Sequence, residues 1–79
     1  SLSSVTKRVA NALLELSEGK SEMLLPMTKG DLASQLGMTQ ETLSRKLTAL
    51  QEEGLILLKG QRKIIIKDKA KLGEISLAE

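Results

Sequence analysis

In the stretch GMTQETLSRKLTALQEEGLI, residues 37–56, four polar side chains have the types and spacing to read base-pair edges. Glu41, Ser44, Arg45 and Thr48 lie between leucines at 43, 47 and 50. Arg donates two hydrogen bonds to guanine O6 and N7, and Glu accepts one from cytosine N4. Ser and Thr touch bases, thymine methyls or phosphates. At roughly 100° per residue, the three leucines fall within about 60° of one another on a helix. The polar four then occupy a separate stripe about 100° wide, largely opposite. Leucines belong in a core, so the stripe faces outward, where it suits a DNA major groove. The simpler reading is an ordinary solvent-facing stripe, with Glu41 and Arg45 forming an i,i+4 surface ion pair of small worth.

The charge distribution favours a polyanion. Net charge is +2. Residues 1–39 are balanced, residues 40–71 carry eight basic against four acidic side chains, and residues 72–79 add two acidic ones. The positive excess therefore follows residue 40, where Lys59, Arg62 and Lys63 are placed to contact phosphate, as Thr48 is at the end of the stripe. Other chemistries are nearly excluded. Without Cys there is no disulfide, thiol nucleophile or Cys-ligated metal, and without His the commonest acid–base group and metal ligand is missing. With 0% aromatic residues there is no base-stacking platform. No apolar run approaches the ~20 residues that cross a bilayer, and no signal peptide is visible, so a cytoplasmic protein is expected.

These side chains need elements to position them. A chain of 79 residues is long enough for one small domain, spanning 1–79. A first helix is expected from Ser3 or Ser4 as cap, through a stripe of Val5, Val9, Ala12, Leu13 and Leu16, to a left-handed stop at Gly19. Met23, Leu24 and Leu25, cut off by Pro26, read as a short edge strand or extended link. Thr28 caps a second helix that turns Leu32, Ala33 and Leu36 inward and ends at Gly37. Thr39 caps a third, over about 40–53, with Gly54 as its stop. Two helices joined by a tight Gly-containing turn make a helix-turn-helix. Residues 55–67 change period: apolar runs 55–58 and 64–66 flank Lys59-Gly60-Gln61-Arg62, which predicts a β-hairpin. Asp68 caps a last short helix, weakened by Gly73. Met23, Met27 and Met38 read as gap-filling core or turn residues. The fold class is mainly α with a small β-hairpin wing, a winged helix-turn-helix.

On these residues the sequence resembles the C-terminal DNA-binding domain of the CRP/FNR family of bacterial transcription regulators, from about Val5 to Leu72. The segments that carry the resemblance are RVANALLEL, TKGDLASQLG and ETLSRKLTALQEEGLI. It implies sequence-specific binding of double-stranded DNA, with Glu41 and Arg45 reading bases. Ser44 completes the E-x-x-S-R pattern of the FNR-like branch, which implies a TTGA-type half-site. Gln40 stands where the CRP-like branch carries Arg, and it joins the base-reading set. Thr28, Thr39, Thr42 and Lys59 are phosphate contacts by the same resemblance. The implied partners are a palindromic operator, a second copy of the parent and RNA polymerase. The family's β-barrel sensor and long dimerisation helix have no counterpart in this sequence, so the chain is expected to be a monomer or weak dimer. No cofactor is expected in this domain; an effector would act on the parent's sensor.

Two other classes stand against this reading. One is a winged helix used for protein–protein contact without DNA. The other is an enzyme, for which EGKS at 18–21 faintly resembles the end of a phosphate-binding loop. That loop needs a preceding strand and a Gly at position 14, which is Leu.

Overall fold

A computed structural model describes residues 3–78. In chain order the elements are α1 (Ser4–Ser17), β1 (Glu22–Leu24), α2 (Lys29–Gln35), α3 (Gln40–Glu52), β2 (Ile56–Lys59), β3 (Lys63–Ile66) and α4 (Lys69–Leu77). The expected winged helix-turn-helix is present, with one addition. The hairpin β2–β3 is completed by β1 into a three-stranded antiparallel sheet of order β1-β3-β2. The run at Met23 is thus an edge strand paired with the hairpin, and Leu25 N–H donates to the Arg62 carbonyl at 2.8 Å just beyond it.

Every helix begins on a side chain that takes up an otherwise unpaired backbone N–H. Ser3 Oγ accepts from Thr6 N at 3.2 Å, Thr28 Oγ1 from Asp31 N at 3.1 Å, and Thr39 Oγ1 from Thr42 N at 3.1 Å. Asp68 Oδ1 accepts from Lys71 N at 2.9 Å. That cap, with Leu72 and Ile75 buried against the core, carries α4 straight through Gly73. The first helix stops one residue earlier than expected: Glu18 itself adopts the left-handed conformation at φ 50, and Gly19 follows at φ 81.

The buried side of α1 also differs from the expected stripe. Val9, Ala10, Leu13 and Ser17 are buried, while Val5, Ala12 and Leu16 are only partly so. α1 packs chiefly along α4, and its buried face reaches the flank that carries Ala10 and Ser17. Ser17 is accommodated because its hydroxyl donates to the Leu14 carbonyl at 2.9 Å.

One core joins all layers. Leu13 of α1, Leu32 and Ala33 of α2, and Leu43, Leu47 and Leu50 of α3 meet Ile56, Ile64 and Ile66 of the sheet and Leu72 of α4. Met27, ahead of α2, and Leu36 and Met38, in the turn between α2 and α3, are partly buried against it as gap-fillers. That turn needs Gly37, at φ 71. It is also held from outside: Arg8 of α1 donates through Nη1 to the Leu36 carbonyl at 2.5 Å. The charged group sits at the C-terminal end of α2, where the helix dipole favours a cation. Among the described residues, no helix is long and apolar enough to cross a membrane.

Candidate nucleic-acid interface

The third helix presents its polar stripe as the leucine spacing requires. Leu43, Leu47 and Leu50 are buried; Gln40, Glu41, Ser44, Arg45 and Thr48 are exposed. The Arg45 guanidinium lies 3.5 Å from the Glu41 carboxylate, with both side chains about three-quarters exposed. The ion pair of the simpler reading therefore exists. Such an exposed pair is weak, so neither group is committed to it when a stronger partner arrives.

Thr28, Lys29 and Gly30 at the start of α2, Gln40 and Ser44 of α3, and Gln61 and Arg62 at the wing tip line one open polar groove of about 450 Å³. Four of these are residues singled out from the sequence: Thr28, Gln40, Ser44 and Arg62. Three were not: Lys29, Gly30 and Gln61. Thr28 already spends one acceptor site on the Asp31 N–H, which leaves its own hydrogen free to donate. Thr39 is more committed, since its hydroxyl also donates to Thr42 Oγ1 at 3.0 Å. Thr42 is thereby left with the free hydroxyl hydrogen of the pair.

The wing lysines lie elsewhere. Along β3, Ile64 and Ile66 point into the core, which turns Lys63 and Ile65 to the outer face of the sheet. Lys59 lies directly opposite Lys63 on that face. Lys63 Nζ makes an ion pair with Glu22 of β1 at 3.0 Å. Neither lysine lines the groove with Arg62.

Gln51, near the end of α3, fixes the wing to that helix. Its Oε1 accepts from Leu58 N at 2.7 Å, on the edge of β2 that faces away from β3. Sequence periodicity offers no signal for this contact, because Gln51 is polar and merely adjoins the leucine stripe. Replacing Gln51 with Ala leaves a partly buried N–H without its acceptor, at a cost of about 1–2 kcal/mol. A thermal midpoint lower by several degrees is expected, and an unchanged midpoint would show that the clamp carries no weight.

Fold and groove together define a winged helix-turn-helix domain. Comparison with known proteins agrees: residues 7–75 match the Crp-like helix-turn-helix domain, and the chain belongs to that family. It is 40% identical over 73 residues to the transcriptional activator protein FnrL of Cereibacter sphaeroides, covering 92% of this chain and 29% of that protein. It is 43% identical over 63 residues to the nitrogen fixation regulation protein FixK of Rhizobium meliloti, covering 76% and 30%. Among solved structures, FixK2 from Bradyrhizobium japonicum superposes with a TM-score of 0.88 at 33% identity, over 96% of this chain and 40% of that one. The catabolite activator protein of Thermus thermophilus gives 0.76 at 35%, over 91% and 33%. The chain thus spans about a third of the length of these relatives, which are transcription regulators.

Proposed function

We propose that this chain is the DNA-reading domain of a CRP/FNR-type bacterial transcription regulator. α3 enters the major groove, where Gln40, Glu41, Ser44 and Arg45 meet base edges. Thr28, Thr39, Thr42, Thr48, Lys59, Arg62 and Lys63 hold the phosphate backbone on either side. The observation that carries this reading is the groove in which α2, α3 and the wing tip converge, lined from α3 by Gln40 and Ser44 and adjoining the exposed stripe of Glu41, Arg45 and Thr48. The E-x-x-S-R spacing supports a TTGA-type half-site. In the parent, a homodimer in the cytoplasm sets two such helices in successive major grooves of a palindromic operator, ~34 Å apart. RNA polymerase is the further partner of that assembly. A single copy binds one half-site weakly, because the avidity of the second half is missing.

The test is an NMR titration with two short duplexes, one bearing TTGA and one with the same bases scrambled, each at two salt concentrations. Shifts concentrated on residues 39–48 and 59–63, and stronger for TTGA, are expected. Equal shifts that vanish with salt would reduce the reading to backbone attraction. No shifts at low salt would favour the protein-contact module. Arg62→Ala is expected to weaken both duplexes alike and to reduce the slope of log K against log salt by roughly one phosphate contact. A loss confined to the TTGA duplex would move Arg62 from backbone to base contact.

A further inference from the structure

Gln40 is the first residue of α3 and lies against the start of α2 across the polar groove. The second residue of α2 is Gly30. A Cβ at position 30 would stand 3.1 Å from Gln40 Oε1, 3.8 Å from its Cδ and 3.9 Å from Thr28 Oγ1. The first distance is tighter than ordinary carbon–oxygen packing, so a methyl group here presses the Gln40 carboxamide away by a few tenths of an ångström. The backbone does not require glycine here. The glycines with positive φ are 19, 37, 54 and 60, and Gly30 sits in ordinary helical conformation. Alanine would even favour the helix. The missing side chain therefore serves the space above it.

We propose that Gly30 sets the flanking-base preference beside the half-site core by letting the Gln40 carboxamide rest on α2. The inference rests on the DNA-reading function proposed above. A glutamine amide reads a base edge through a paired donor and acceptor, so its orientation decides which base it meets. With Gly30 the carboxamide is drawn back toward α2. With an alanine in its place the carboxamide must give way by a few tenths of an ångström, away from α2 and into the open groove. Gly30 touches no base; it is a positioning residue that acts through Gln40.

Two readouts on the wild-type chain, Gly30→Ala, Gln40→Ala and the double variant test this. The first is the Gln40 side-chain NH₂ resonance in the free protein, which should move in Gly30→Ala while the thermal midpoint is kept or raised. An unmoved resonance overturns the proposal whatever happens on DNA. The second is competition binding to duplexes that vary only the base pairs flanking TTGA. Gly30→Ala should change discrimination at one flanking position by roughly three- to tenfold, within the range of one base-edge contact, with TTGA itself still preferred. Gln40→Ala and the double variant should have identical profiles. If Gly30→Ala moves Gln40 but leaves the flanking profile unchanged, the proposal fails and DNA reading stands. If the double variant differs from Gln40→Ala as much as Gly30→Ala differs from wild type, Gly30 acts independently of Gln40 and the proposal fails. If the wild-type chain prefers no duplex, the DNA reading itself has failed and takes the proposal with it.

Discussion

Leu47→Ala is expected to cost the chain a large share of its stability. Leu47 is fully buried in the middle of α3, among core residues contributed by every layer. Truncating such a leucine costs about 2–5 kcal/mol, through lost transfer energy and the cavity left behind. A domain of 79 residues has total stability of only about 4–12 kcal/mol by the usual per-residue scale. The core also has no aromatic side chain to spread into the gap. At about 4–8 °C per kcal/mol, the thermal midpoint should fall by roughly 10 °C or more. Far-ultraviolet circular dichroism follows it, since the chain has no aromatic signal. Thr48→Ala, one residue on and exposed, is the control and should shift stability by no more than about 0.5 kcal/mol. A midpoint shift of Leu47→Ala as small as that of the control would mean that α3 does not pack on its leucines.

Arg45→Ala should leave the fold intact and weaken the DNA complex selectively. In the free chain the guanidinium is exposed and only loosely tied to Glu41, so its removal costs little stability. On DNA the same group would donate a bidentate pair to guanine, whose loss costs about 1–3 kcal/mol and relaxes specificity at that base pair. A second effect adds to the first. Without Arg45, the Glu41 carboxylate enters the negative field of the DNA with its positive neighbour gone, so affinity for all duplexes falls somewhat as well. The discriminating measurement is the ratio of affinities for a TTGA duplex and its scrambled counterpart. That ratio should collapse in Arg45→Ala by roughly five- to a hundredfold. Equal weakening of both duplexes would make Arg45 a phosphate contact.

The third helix was legible in the sequence because three signals coincide on it. The leucines recur at helical spacing, Thr39 stands ahead of them as a cap, and Gly54 follows, at φ 80. The buried side of α1 was not legible in the same way. Its sequence offers apolar residues on two overlapping flanks, and the choice between them is made in packing, chiefly along α4, some fifty residues later. Ala10 and Ser17 are small enough to be covered closely, and both are buried while Leu16 stays partly open. The outward turn of Lys63 follows from the alternation of Ile64 and Ile66, but its pairing with Glu22 depends on the register of β1. A strand of 3 residues is too short to announce an alternation of its own. Lys29, Gly30 and Gln61 joined the groove for a similar reason: no local pattern records which loops will face each other.

The sheet order has a mechanical consequence. β3 is the central strand, and β1 reaches it from the far side of the helix-turn-helix. Glu22, Met23 and Leu24 pair with Ile65, Ile64 and Lys63, so α2, α3 and β2 form a single loop buckled shut at its base. In this register Met23 and Ile64 exchange hydrogen bonds, as the flanking bonds from Ile66 to Ser21 and from Leu25 to Arg62 require. A protease that nicked the exposed turn around Gly37 would therefore leave two fragments still fastened together. The wing is thus the latch of the domain as well as its outermost arm.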